Sequence, residues 1–454
     1  DVVRQVIEQG ADYGKSGVGA GKRALVEFVS ANPTGPMHIG NARGGALGDS
    51  LASLLTAAGF ETEREFYIND AGNQIVKFGL SLSIRYLQHF GKEIEMPEDS
   101  YHGQDIIDHA AAFAELNGDK YVNCTEEERR KALVAYALPL NVQGLEKDLA
   151  SYRIHYDTWF AESSLHNSGA VSDILEKLKD SGNTYEKDGA TWFAAERFGC
   201  DKDFVLIRSN GLPTYIVPDI AYHYNKLVVR GFDIAIDVLG ADHHGYVPRM
   251  KAALAALGID PARLVVVLMQ MVNLVRNGET VKLSKRSGKA ITLVTLLEEV
   301  PLDSARFFFI MREPNTHCDF DLDLAVREDS DNPVYYCQYA HARICSIMRR
   351  LGEKGEANCE AKTELLREDS ERDVIRIVGE LQHVVERAAA AYDPSSLARY
   401  ALELSGAFHR FYNSCRVETD DPELTAARVA LCRAVATVLE IVLGMINVAC
   451  PDRM

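Results

Sequence analysis

Ala24-Leu25-Val26-Glu27-Phe28-Val29-Ser30-Ala31-Asn32-Pro33-Thr34-Gly35-Pro36-Met37-His38-Ile39-Gly40-Asn41 is the most informative stretch of this chain. Through Val29 it has the apolar, partly β-branched character of a buried strand. A Pro/Gly turn follows from Asn32 to Pro36. From Gly40 to Ala58 small and apolar residues (Ala42, Ala46, Leu47, Leu51, Leu54, Leu55, Ala58) recur close to helical period, and Glu63 to Ile68 is a second strand candidate. Strand, tight turn, helix, strand predicts a βαβ unit with parallel strands.

Working outward, residues 1–23 read as a helix-like piece followed by a Gly-rich run (Gly14, Gly17, Gly19, Gly21), the remnant of a linker. Residues of about 80–200 are mostly helical and polar, with turns at Ser181-Gly182-Asn183 and Lys187-Asp188-Gly189, and read as an insertion. Strand patterns resume at Phe204 to Ile207, Ile234 to Leu239 and Leu264 to Leu268. From Asn332 onward they vanish, and helices are expected at Val334 to Arg350, Ser370 to Tyr392, Ser395 to Arg416 and Glu423 to Val448, with a polar stretch from Gly352 to Lys362 after the first. The expected architecture is an α/β domain over 24–330, a doubly wound parallel sheet of Rossmann type with a helical insertion, then an all-α bundle over 331–454.

Composition sets the class. The chain has 454 residues, 47% hydrophobic and 25% charged, the range of a globular protein with a real core. No apolar run approaches the roughly 18 residues that a membrane helix needs. The chain begins Asp1-Val2-Val3-Arg4, with neither an initiator Met nor a signal-peptide pattern, and reads as starting inside a longer protein. Nine cysteines without a C-x-x-C pair argue against a zinc ribbon or a disulfide framework; reduced thiols and a cytoplasmic location are expected. The net charge of −17 gives a nucleic-acid role no help, although phosphate contacts depend on local Lys/Arg patches rather than on the sum.

Two motifs carry chemistry. Pro33 to Asn41 lies between strand and helix, where backbone N–H groups at a helix start favour phosphate and His38 can donate to phosphate oxygens. Lys282-Leu283-Ser284-Lys285-Arg286-Ser287-Gly288-Lys289 is a basic run whose lysines could clamp and release pyrophosphate. Taken singly, the first is also compatible with a capped Pro/Gly turn and the second with a solvated loop.

Together, H-I-G-N after the first strand and K-L-S-K-R after the last resemble the paired HIGH and KMSKS motifs of class I aminoacyl-tRNA synthetases. Val26 to Pro36, Tyr67-Ile68-Asn69-Asp70-Ala71-Gly72-Asn73-Gln74, Gly240-Ala241-Asp242-His243-His244-Gly245-Tyr246 and Tyr335-Tyr336-Cys337-Gln338-Tyr339-Ala340-His341-Ala342-Arg343 are similar to bacterial arginyl-tRNA synthetases, and the similarity runs from about residue 10 to Met454. Two departures stand out: Asn41 replaces the second His of HIGH, and the family's N-terminal domain is not present before Asp1.

The resemblance implies an enzyme that activates L-arginine with ATP and Mg²⁺ and transfers it to tRNA(Arg), with tRNA needed for the first step. By the same resemblance His38, Asn41, Lys282 and Lys285 are catalytic, the last two in the 282–286 loop. Pro33, Gly35, Pro36, Gly40 and Ser284 join His38, Asn41 and Lys285 around ATP. Glu27, Ser30, Asn32, Tyr215, Asp219, Asp242 and His243 surround arginine. Tyr335, Tyr339, His341 and Arg343 meet the anticodon from the helical domain. A guanidinium needs carboxylates at fixed angles, and Asp219 stands one helical turn after Tyr215. No tightly bound metal, protein partner or membrane is implied; adjacent histidines on a strand, as His243-His244 would be, face opposite ways and chelate poorly. The alternatives are a class I synthetase for another amino acid, such as cysteine, and a non-catalytic tRNA-binding relative.

Overall fold

The computed structural model describes residues 1–281, 291–352 and 360–454. Helix α1 (Val2–Gln9) opens the chain and β1 (Arg23–Glu27) enters the main sheet. Helix α2 (Ile39–Ala57) and β2 (Glu61–Ile68) complete the expected βαβ unit, with β1 and β2 parallel. Helices α3 (Gly72–His89), α4 (Gln104–Asn117) and α5 (Glu126–Ser151) then form a separate apolar cluster around Phe78, Leu82, Tyr86, Phe113 and Leu133. Strand β3 (Thr158–Ala161) returns to the main sheet beside β2. Helices α6 (Glu162–Asn167) and α7 (Ala170–Asp180) follow. Strands β4 (Thr184–Lys187), β5 (Ala190–Phe193) and β6 (Phe204–Ile207) pair antiparallel in a small sheet of their own.

Helix α8 (Ile216–Tyr224) continues into a π-helical turn over Asn225–Val229, and β7 (Ile234–Gly240) follows. A 3₁₀ turn (Ala241–Gly245), α9 (Tyr246–Ala256) and β8 (Leu264–Met269) complete the main sheet. Its order is β3-β2-β1-β7-β8, all parallel, so the direction of winding reverses between β1 and β7. Helix α2 lies against β1 because Gly48 has no side chain: a Cβ there would sit 2.2 Å from the Phe28 ring. Strands β9 (Val272–Arg276), β10 (Glu279–Thr280) and β11 (Cys318–Asp321) form a third sheet, with α10 (Leu293–Glu299) and α11 (Leu302–Ile310) between β10 and β11. After the one-turn α12 (Leu322–Ala325) comes the bundle: α13 (Pro333–Leu351), α14 (Asp369–Gly379), α15 (Leu381–Ala391), α16 (Ser395–Ser414) and α17 (Pro422–Met445).

Four expectations change. Residues 1–23 are not a free linker: Val3 and Val6 are buried, α1 packs on α14 and α17, and the Tyr13 hydroxyl donates to the Val378 carbonyl at 3.1 Å. The amphipathic face of α1 had no visible partner in sequence. The inserted region is not simply helical, since β3 inside it belongs to the main sheet and β4 and β5 to the small one. Phe204 to Ile207 is a strand, but of that small sheet; a short apolar run does not say which neighbours it pairs with. The helix expected over 370–392 is two helices broken at Glu380, where the poor helix former Gly379 meets Val2 of α1.

The bundle is tied to the sheet domain by buried polar groups. Arg306 is fully buried; its guanidinium donates to Asp49 Oδ2 at 2.6 Å and to the carbonyls of Tyr152 and Ile446. The Asn447 amide reaches the same Asp49 oxygen at 3.1 Å, and Gln338 bonds Asp303 and the Ala449 carbonyl.

Candidate active site

In an open α/β sheet the crevice outside the carboxyl ends of the strands, where winding reverses, is the natural ligand site. A cavity of about 640 Å³ lies there, between the ends of β1 and β7. Its lining includes Glu27, Ser30, His38, Gly40, Asn41, Asp219, His223, Asp237, His243 and Tyr246. A second cavity shares Ser30, His38 and Asn41 with it and extends along Asn32, Thr34, Gly35 and Pro36 to Gln74, Tyr101 and Asp105. A third shares Asp219, His243 and Tyr246 and adds Tyr215 and Asp242.

The first motif forms the floor. His38 is the N-cap of α2, and its backbone N–H donates to Asn41 Oδ1 at 3.0 Å. Asn41 therefore acts as the acceptor half of a capping box, a service that its amide performs without a charge. Among the described residues, nothing outside Gly40's own stretch of helix comes within 4 Å of where a Cβ on it would be, so a ligand has room to approach that backbone. The loop before it is strained: Val29 (φ 67°) and Ser30 (φ 41°) are consecutive left-handed residues, costly for a β-branched side chain. Its surroundings hold it there. Ser30 Oγ donates to Glu27 Oε1 at 2.9 Å and accepts from the Tyr67 N–H, and Asn141 of α5 donates to the Pro33 carbonyl at 2.9 Å. Pro33 itself is buried and lines none of the three cavities.

The second motif, with Lys282, Ser284 and Lys285, lies outside the described residues. The residues just after it pair with the first motif: the Ile39 N–H donates to the Ile291 carbonyl at 3.2 Å and the Leu293 N–H to the Met37 carbonyl at 3.0 Å.

The acids behind the cavity divide into two kinds. Glu27 and Asp237 are both salt-bridged to the buried Lys226. Asp219 on α8 forms no ion pair among the described residues, and it lines both the central and the third cavity. Burial, together with the charges of Glu27, Glu162 and Asp237, pushes its carboxyl up to about 7, against a smaller pull from His223. Tyr215, at the start of α8, is 63% exposed and shares the third cavity with it. Asp242 and His243 lie not on a strand but in the 3₁₀ turn after β7, which ends the extended backbone and reorients them. His243 reaches both cavities, while the Asp242 side chain is 86% exposed.

A fourth cavity, of about 500 Å³, lies in the bundle, lined by Tyr339, Arg343, Arg349, Arg350, Tyr412, Arg453 and Met454. The Arg343 guanidinium is sandwiched between the Tyr339 and Tyr412 rings at 4.6 and 4.7 Å, and Tyr335 stacks on Tyr339. This is the local basic patch that the net charge concealed. His341 does not line it. Its ring is buried and bonded to Glu440 (2.9 Å) and to the Pro451 carbonyl (3.1 Å), so it fastens the C-terminal segment. On α13 the faces alternate faster than the motif suggests: Tyr339 points out where His341 points in.

Sequence reasoning missed His223, Lys226, Asp237, Tyr222 and Tyr246. Asp237 had a signal, as an acid in the apolar run Ile234 to Leu239. Lys226 and His223 had none, because their partners are remote in sequence or hidden in an ordinary helix.

Fold, switch-point cavity and motif position define a class I tRNA synthetase catalytic unit, and residues 2–319 match the family model for tRNA synthetases class I (R), catalytic domain. Residues 337–454 match the DALR anticodon binding domain. The chain belongs to the arginine–tRNA ligase family: it is 53% identical to the arginine–tRNA ligase of Caldanaerobacter subterraneus subsp. tengcongensis and 52% to that of Desulfitobacterium hafniense, in each case over 100% of this chain and 81% of the relative. A crystal structure from Campylobacter jejuni assigned to arginyl-tRNA synthetase superposes with a TM-score of 0.90 at 32% identity, covering 100% of this chain and 98% of that one. Among the described residues no helix is long and apolar enough to cross a membrane.

Proposed function

We propose that this chain activates L-arginine with Mg²⁺–ATP and transfers it to tRNA(Arg) in the cytoplasm. The observation that carries the proposal is Asp219: a half-buried carboxylate with no ion pair among the described residues, at the sheet's switch point and in the same cavity as His38. A cationic guanidinium supplies the missing partner, with Tyr215 and His243 beside it, while Asn32 and Ser30 face the amino-acid head. Lysine or citrulline leaves the acid badly paired or unpaired, which a hydrogen-bonding site can penalise by roughly 10⁴.

ATP lies over the start of α2, along Gly35, Pro36 and Gly40. An arginine carboxylate oxygen forms a bond to the α-phosphorus as the bond to pyrophosphate breaks. His38 and the second-motif lysines stabilise the charge that spreads onto the phosphate oxygens, with Asn41 holding the His38 backbone in place. A ribose hydroxyl at the tRNA 3′ end then attacks the acyl carbon and AMP departs. In the bundle the Tyr339 and Tyr412 faces receive unstacked anticodon bases and the surrounding arginines meet phosphates.

The test is ATP–pyrophosphate exchange with each of the twenty amino acids, with and without tRNA(Arg). Exchange with arginine, dependent on tRNA and lost in Lys285→Ala, is expected. Exchange driven by another amino acid and not by arginine overturns the substrate, and tRNA binding without any exchange overturns the enzyme.

A further inference from the structure

Lys226 is fully buried in the π-helical turn that prolongs α8, a kind of helix defect that concentrates at functional sites. Its ammonium donates to Glu27 Oε2 at 2.5 Å and to Asp237 Oδ1 at 2.9 Å, and lies 4.0 Å from the centre of the Tyr222 ring. Glu27 and Asp237 are register partners on adjacent parallel strands, so the two acids stand side by side where the sheet reverses. Their other oxygens are also engaged: Glu27 Oε1 with Ser30, and Asp237 Oδ2 with His223 Nε2 at 2.7 Å. The remaining nitrogen of His223 is 2.7 Å from the Asp219 carbonyl, which links the network to the helix turn that bears Asp219.

With the cation in place, the trio Lys226, Glu27 and Asp237 carries a formal +1 −1 −1, or −1, shared over a bonded cluster. Without it the trio carries −2 behind a cavity that already holds Asp219, an acid with no ion pair among the described residues. Like charges at this range suppress one another's ionisation. Around Asp219 the titratable groups include Glu27 of β1, Tyr67 of β2, Glu162 of α6, His223 of α8, Asp237 of β7 and Tyr246 of α9, and Tyr215, Asp242, His243 and Arg249 share the third cavity with it. Among the described residues acids and neutral phenols outnumber cations here, so Lys226, bonded to two of the acids, has a large influence on the field.

We propose that Lys226 is a positioning residue for arginine selection: by occupying Glu27 and Asp237 it leaves Asp219 as the carboxylate of the central cavity that has no ion pair among the described residues and is open to the substrate, and through Glu27 it holds the strained Val29–Ser30 turn. This rests on the arginine-activating reading above. In this assignment Glu27 shapes the pocket without being spent on the substrate.

The test measures tRNA-dependent exchange in the full chain, with KM for arginine and ATP determined separately across pH. Lys226→Met should raise the KM for arginine by roughly 10- to 100-fold with the KM for ATP nearly unchanged. It should also move the acidic limb of kcat/KM for arginine upward by about one pH unit. Lys226→Met combined with Asp237→Asn restores the trio's charge to −1 and should return the limb close to its wild-type position, which a purely packing role would not do. Asp237→Asn alone should move the limb the other way, and this sign decides the matter if Lys226→Met does not fold. An unmoved limb, equal losses for arginine and ATP, or a double variant with the limb still displaced overturns the inference. Absence of arginine-dependent exchange in the unmodified chain instead overturns the underlying reading.

Discussion

Asp219 offers the sharpest test of how this pocket works. Its carboxyl titrates near neutrality, pushed up to about 7 first by burial and then by Glu27, Glu162 and Asp237. Only the ionised form attracts a guanidinium, so the arginine-competent fraction falls as pH drops through that value. Between about pH 8 and about pH 6 a group of this kind goes from roughly nine-tenths to one-tenth ionised, and kcat/KM for arginine, which reports the free enzyme, should fall about tenfold. Asp219→Asn removes the charge at every pH. Truncating one member of a buried charge pair costs about 2–5 kcal/mol; Asp219 is half-buried, which points to the lower part of that range, about 2–3 kcal/mol or a roughly 30- to 150-fold loss at about pH 8. Near pH 6 the gap should shrink to about a tenth of that, because the wild-type enzyme has itself lost the charge. The assay is initial-rate arginine-dependent exchange at saturating ATP and tRNA. A wild-type profile without an inflection in this region refutes the argument, and so does an inflection that survives in the Asn variant, which would belong to another group.

Asp49→Asn leaves the buried Arg306 without its carboxylate, and breaking such a pair should destabilise the junction of sheet domain and bundle by about 3–5 kcal/mol, read as a shift in the urea midpoint. Arg343→Ala removes the cation held between Tyr339 and Tyr412; the KM for tRNA should rise roughly tenfold or more, and the dependence of binding on salt should flatten by about one unit of slope, measured by filter binding at several salt concentrations. Asn41→Ala removes the acceptor from the His38 N–H and should cost about 1 kcal/mol in thermal stability together with a loss of exchange activity, whereas Asn41→Asp keeps the acceptor and should lose less stability.

The parts of this protein legible in its sequence are those whose physics is local. Strand, turn and helix around Pro33 to Asn41 follow from a buried apolar run, a Pro/Gly turn and helical periodicity within about 35 residues. The observed β1, α2 and β2 depart from expectation only at their ends. The helices of the bundle were legible for the same reason, except for the break at Glu380, and the motif wording pointed to the family without any coordinates. Pairing between remote segments was decided by the tertiary structure alone. A four-residue apolar strand does not encode its neighbours, so Phe204 to Ile207 and the unanticipated β3 were placed by packing. The division of labour among the acids is equally non-local. Glu27 and Asp219 look alike in the sequence, but a lysine 199 residues after Glu27 neutralises one and leaves the other open, because a buried charge is defined by what the fold brings within about 3 Å of it.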